Sequence, residues 1–199
     1  MERTLKDIFY ESHDIYFSDE VNESSLLALI KDINAIVKKD EQIIAENRSH
    51  LDALNITGAE FKKPDINLYI STYGGVVYDG LGMYDAIKTL TKDYKVNVIV
   101  TGKAMSCGLF IIQAGSMRYG TRNSTYLYHD LGCFGLGKIK EIQEDTEEAV
   151  RLRNRVHDIL LSRTKLTEEQ LNDVIEHKKD WYFDAETALK LGVIDEIVD

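Results

Sequence analysis

The chain has 199 residues, 44% of them apolar, which is enough to bury one sizeable α/β core. Its 24 basic against 34 acidic side chains give a net charge of −10, which argues against a nucleic-acid backbone as partner. No run approaches the roughly 18 apolar residues of a membrane span, and two cysteines are too few for a disulfide framework.

The opening MERTLKDIFYESHD has no apolar signal core and is too acidic for a transit peptide, so the cytoplasm is the expected compartment. Residues 1–14 lead into a short strand at Ile15-Tyr16-Phe17. Over 24–39, the residues Leu26, Leu27, Ile30, Ile33 and Val37 form a helical stripe that faces a core. A polar stretch follows at about 38–65, expected either to extend that helix or to form a surface excursion. Ile66, Leu68 and Ile70 alternate as a strand does, and the strand ends at Gly74-Gly75 before a helix over about 79–90. Paired glycines let a backbone approach a ligand closely and aim N–H groups at it, although they also serve as plain punctuation.

Val96, Val98, Ile99 and Val100 read as a buried strand broken at Gly102-Lys103, and Ser106 falls where the next helix begins. A serine at such a turn exposes its hydroxyl beside free backbone N–H groups, and an oxyanion formed by its attack would meet fixed donors. The plainer alternative is that Ser106 only caps a helix. Adjacent residues at a helix start point in different directions, so Cys107 reads as a small buried hydrophobe rather than as a second nucleophile.

Residues 125–129, TYLYH, alternate as a short strand and bring His129 out at its end, where a general base is well placed. An ordinary strand-end histidine is the alternative. The loop GCFGLG lacks both the P-loop ending and the dinucleotide fingerprint, and its Cys133 is expected to be exposed and oxidisable. The charged stretch 139–163 is helical, with Ala149, Val156, Ile159 and Leu160 on one side. Thr167-x-x-Gln170 is a capping box that opens a helix to about His177. His157 and His177 stand singly, and no Cys/His grouping has zinc spacing. Asp180 precedes Trp181-Tyr182-Phe183, bulk that could shield a carboxylate holding an imidazole in one tautomer; otherwise it is a solvated turn residue.

Four ordered segments, YISTYGGVVYDGLGMYDAI, VTGKAMSCGLFIIQAGSMRYGT, STYLYHDLG and DWYFDAETALKLGVIDEI, resemble the family of the Clp protease proteolytic subunit (ClpP), serine peptidases on the crotonase fold. The resemblance runs over about residues 14–198, and Ala185, Ala188, Gly192 and Asp195 register Asp180 with the family's acidic residue. It implies an α/β fold of repeated β-β-α units, a single domain over 1–199 and a protruding helical handle at about 139–163. It implies Ser106 as nucleophile, His129 as base and Asp180 as orienting acid. It puts the oxyanion hole at the backbone N–H groups of Gly75 and Cys107, leaving the Cys107 side chain freer to vary. An extended substrate would add as a strand along Gly74, Gly75 and Val76.

The activity so implied is a serine endopeptidase that cleaves peptides or unfolded chains inside two stacked seven-membered rings. It needs no metal or organic cofactor, and ATP would enter only through a separate AAA+ unfoldase. The chain departs from the family in several places. Thr72-Tyr73 replaces Ser-Pro, which removes a rigid turn-former. Asp130-Leu131 replaces Gln-Pro and sets beside His129 a carboxylate that could compete with Asp180. Region 38–65 is longer than usual by about 20 residues, and the segment before the first strand is short for an axial loop that docks an unfoldase. Two other readings stay open: a structural subunit with a silent site, and a crotonase-type acyl-CoA enzyme that uses a glycine-based oxyanion hole on a thioester.

Overall fold

The computed structural model describes residues 13–56, 61–132 and 136–199. Five parallel strands run in the order β1 (His13–Phe17), β2 (Ile66–Thr72), β3 (Val96–Met105), β4 (Met117–Thr121) and β7 (Glu196–Val198). β5 (Thr125–Tyr128) pairs in parallel with β3, and β6 (Trp181–Asp184) pairs antiparallel with β5. The alternation read from the sequence is the alternation of burial. Ile15, Phe17, Ile66, Leu68, Ile70, Val96, Val98 and Val100 all turn to one face and are buried there. Helices α1 (Glu23–Ala53), α2 (Val77–Leu90) and α3 (Cys107–Ile111) cover that face, with Leu29, Ile33, Met83, Ile87 and Phe110 in a shared core. Burying each such side chain contributes on the order of 2 kcal/mol.

β3 corrects one expectation. Gly102 does not end the strand; it bends it, at φ +93, and β3 continues to Met105. Before the bend, Asn97 to Val100 pair with β4; beyond it, Lys103 to Met105 pair with β5. A residue with a Cβ would resist that φ, and the change of neighbours depends on it. The bend is what carries the end of β3 out toward β5 and β6.

Region 38–65 extends the first helix, so α1 runs for 31 residues. Asn22 and Ser25 cap its start reciprocally, each backbone N–H lying 3.0 Å from the other's side-chain oxygen. From Lys38 to Ile56 there is neither glycine nor proline, so nothing stops the helix once begun. Asp40 is the last residue of α1 that is fully buried, and His13 Nε2 meets its two carboxylate oxygens at 2.9 and 3.0 Å. Beyond it every residue of the helix is half-buried or exposed. Much of the segment before β1 and the loop residues including Cys133 lie outside the described residues. No helix among the described residues is long and apolar enough to cross a membrane.

The far edge is held by a buried arginine. Arg118 of β4, 6% exposed, donates to both carboxylate oxygens of Asp195, to the Gln113 side-chain oxygen and, at 2.8 Å, to the Arg163 carbonyl. Burial alone would raise the Asp195 carboxyl, but the hydrogen bonds and charge of Arg118 outweigh it and hold the group below the usual range. Arg118→Met is expected to destabilise the chain by about 2–3 kcal/mol, below the full cost of a broken buried pair because Asp195 still reaches water. The pair's contribution is fully present above the ordinary carboxylate pKa of about 4 and is lost as pH falls through the lower folded value. Urea melts of both proteins at pH 7 and pH 3 check this, and equal acid sensitivity would refute it.

Candidate active site

Four chain segments meet where β2, β3 and β5 present their carboxyl ends, the edge at which open α/β sheets bind ligands. β3 delivers Ser106, one residue past its last. Its backbone has φ 53 and ψ −118, a strained conformation for a residue with a Cβ. Two bonds impose it: Ser106 N–H donates to the Leu127 carbonyl at 3.0 Å, and its own carbonyl accepts from Leu109 N–H at 3.0 Å. Ser106 stands at the N-cap position of α3, yet its side chain makes no cap hydrogen bond. The capping alternative therefore fails.

The Thr72 to Gly75 turn lies directly against this serine. A Cβ built on Gly74, at φ +96, would fall 2.6 Å from Ser106 Cβ and 2.9 Å from Cys107 N. Thr72, 1% exposed, accepts from Gly74 N–H at 3.0 Å and donates to the Asp19 carbonyl at 2.6 Å. A buried hydroxyl thus fixes the turn that proline would otherwise stiffen. Tyr73 points outward, 72% exposed, with Lys103 Nζ 4.0 Å from its ring centroid.

Val21 pairs with Gly75 as an isolated parallel bridge, taking the Gly74 carbonyl and the Val76 N–H at 2.8 Å each. The Val76 carbonyl accepts from Gly80 N–H at 3.0 Å. The main-chain groups of Gly74 and Val76 are thus occupied within the chain. Among the described residues the Gly75 N–H has no acceptor. Cys107 opens α3, so its N–H has no intrahelical partner either. The Cys107 thiol is buried and donates to the Gly75 carbonyl at 3.2 Å. That bond ties the two candidate oxyanion donors together, so the side chain at 107 is not free to vary as the sequence suggested. Burial pushes the thiol's pKa up, which disfavours a thiolate nucleophile.

β5 ends at Tyr128 and is followed by a half-buried His129. In the β5–β6 ladder Tyr128 pairs with Trp181, so continuing the register sets His129 opposite Asp180. Asp180 is exposed, and a left-handed residue, Lys178 at φ 50, turns the chain just before it. Lys179 and His177 are both drawn to Asp173, at 2.8 and 3.0 Å, and the Lys179 hydrogen bond holds the Asp173 carboxyl below its usual range. Among the described residues no hydrogen bond joins Ser106 to His129 or His129 to Asp180. Asp130 does not stand in for Asp180: its carboxylate accepts from Leu131 N–H at 2.8 Å and lies 3.9 Å from Arg153. An open groove of about 1050 Å³ along α5 (Glu168–Glu176) includes Asp180 and Trp181 in its walls but neither Ser106 nor His129.

Sequence reasoning missed Thr72, Val21 and Tyr128, whose roles rest on contacts between distant segments. The family model described as Clp protease matches residues 25–199. Among solved structures the chain is similar to a mutant of ClpP1 from Listeria monocytogenes. It shares 22% sequence identity with that protein, over 94% of this chain and 91% of the other, with a TM-score of 0.70. At that identity the likeness speaks for the fold alone.

Proposed function

The chain belongs to the Clp protease family, and on that premise we propose that it is a serine endopeptidase working through Ser106, His129 and Asp180. The observation that carries the reading is the backbone of Ser106, a strained, uncapped serine next to Cys107 N–H and packed against the Gly74-Gly75 turn, with no acceptor for the Gly75 N–H among the described residues. His129 takes the Ser106 proton as Oγ attacks the scissile carbonyl carbon. The oxyanion forms against the N–H groups of Gly75 and Cys107. His129 then gives its proton to the leaving amine as the C–N bond breaks, and water hydrolyses the acyl-enzyme by the same two steps. The substrate strand runs along the edge of Gly75.

The catalytic hydrogen bonds are not made in the isolated chain, and such bonds often tighten only with substrate. The exposed surface open to a ring contact includes Tyr16, which stacks on Tyr69 with ring centroids 5.0 Å apart. Access to a closed chamber would set specificity, so that short or unfolded polypeptides reach Ser106. The exposure of Asp180 favours one second reading, a ring-forming subunit whose own site is silent.

Fluorophosphonate labelling, read by intact mass, separates the two. An assembled wild type that takes one label, beside an unlabelled Ser106→Ala variant, supports the peptidase. An assembled wild type that takes none overturns it in favour of the silent subunit.

A further inference from the structure

Both residues that flank His129 are held by one face of α4 (Ile139–Arg163). On one side Tyr128, 5% exposed, has its hydroxyl 2.5 Å from Nε2 of His157, which is 8% exposed. On the other side Asp130 faces the Arg153 guanidinium at 3.9 Å. Arg153 and His157 are four residues apart, so they stand one turn from each other on the same helical face. His129 is the single residue between the two anchored positions.

We propose that these two contacts form a clamp through which α4 positions His129 for the peptidase reaction inferred above, with Tyr128 and His157 as positioning residues. The inference rests on that reading of Ser106 and His129. The clamp goes beyond it by naming what fixes the base, and by making the root of α4 a determinant of its alignment.

The chemistry of the buried contact is well defined. Burial lowers the His157 pKa and Arg153 adds to the effect, against the opposing charges of Asp130, Glu168 and Asp158. Burial raises the Tyr128 hydroxyl, with Asp130 adding to the effect and Arg153 opposing it. Both groups are therefore neutral at pH 7, and one hydrogen bond joins the Tyr128 hydroxyl to Nε2 of His157, its direction set by the imidazole tautomer. Such a bond has one length and one direction, unlike an apolar contact that can slide. A base displaced by as little as about 1 Å can lose on the order of 100-fold in rate, so a directional bond on the adjacent residue bears on catalysis.

The test compares assembled wild type with Tyr128→Phe, His157→Leu, the double variant, His157→Gln and Arg153→Gln. For each we would measure kcat and KM on a short fluorogenic peptide, the rate of fluorophosphonate labelling, and thermal stability. Tyr128→Phe and His157→Leu are expected to lower kcat and labelling by about 10- to 100-fold with KM unchanged. The double variant is expected to be no worse than the poorer single one, because one bond is lost in each case. His157→Gln, whose amide oxygen can accept from Tyr128, is expected to recover most of the rate. Arg153→Gln acts at the more exposed anchor, so it carries the test even if His157→Leu fails to fold; its expected loss is about 3- to 10-fold.

Variants that keep the wild-type kcat and lose only thermal stability would overturn the clamp, as would a glutamine no better than leucine at 157. A wild type that is itself inert to the phosphonate would overturn the peptidase reading and the clamp with it. A labelled wild type whose rate every variant shares would overturn the clamp alone.

Discussion

Ser106→Ala is expected to lower peptide hydrolysis by at least about 10,000-fold while leaving the particle assembled, and Ser106→Gly to be equally inactive yet more heat-stable than the alanine variant. The first half follows from losing the nucleophile. The second follows from the backbone, because at φ 53 and ψ −118 any side chain pays strain of about 1–3 kcal/mol. Alanine keeps that strain and glycine escapes it, less about 0.5–1 kcal/mol of extra chain entropy lost on folding. A net difference of about 1 kcal/mol shifts the midpoint of a chain this size by roughly 2–4 °C. Calorimetry on the two variants reads the strain directly, and peptide turnover reads the chemistry. Full activity in Ser106→Ala would end the proposed mechanism. A glycine variant less stable than alanine would mean that the conformation is not held against a cost.

Much of this site is legible in the sequence because local chemistry writes it there. Gly74-Gly75 after an alternating strand, Ser106 between an apolar strand and an apolar helix, and His129 at the end of TYLYH each follow from period and turn chemistry. The family frame around Ala185, Ala188 and Gly192 placed Asp180 in register, and the ladder from β5 to β6 sets it opposite His129. What escaped was every feature carried by a bend or a distant pair. Gly102 resembles a strand end, but the sequence cannot say that β3 trades β4 for β5 there. The missing proline at 73 implies a loss of rigidity, yet the Thr72 hydroxyl supplies it through Gly74 N–H and the Asp19 carbonyl, 53 residues away. In the sequence Asp130 is a rival to Asp180; in the fold Arg153, on a helix further along the chain, lies 3.9 Å from it. His157 read as a solitary histidine for the same reason: its partner lies 29 residues earlier, and no periodicity connects them.

The second large effect is expected at Gly75. Gly75→Ala should lower kcat by about 100- to 1000-fold, the usual cost of losing one oxyanion donor, with a smaller change in KM. The reason is geometric. At φ +151 a Cβ on Gly75 would fall 2.2 Å from the Val21 carbonyl oxygen and 2.9 Å from its carbon, both backbone atoms that cannot rotate away. The bridge to Val21 must open, and the two bonds that hold Gly74 and Val76 open with it. The Gly75 N–H then shifts with the turn, and the Cys107 thiol loses the carbonyl it donates to. Gly74→Ala is the companion variant: its Cβ would fall 2.6 Å from Ser106 Cβ and 2.8 Å from the Met105 carbonyl, pushing on the nucleophile rather than on the donor. Labelling by fluorophosphonate and peptide turnover, measured well below each variant's melting point and with assembly checked by light scattering, separate these losses from unfolding. Gly132, where an added Cβ meets nothing within 4 Å among the described residues, is the control, and its alanine variant is expected to turn over as the wild type does. If Gly75→Ala kept the wild-type kcat, the oxyanion would have to be met by donors other than this turn.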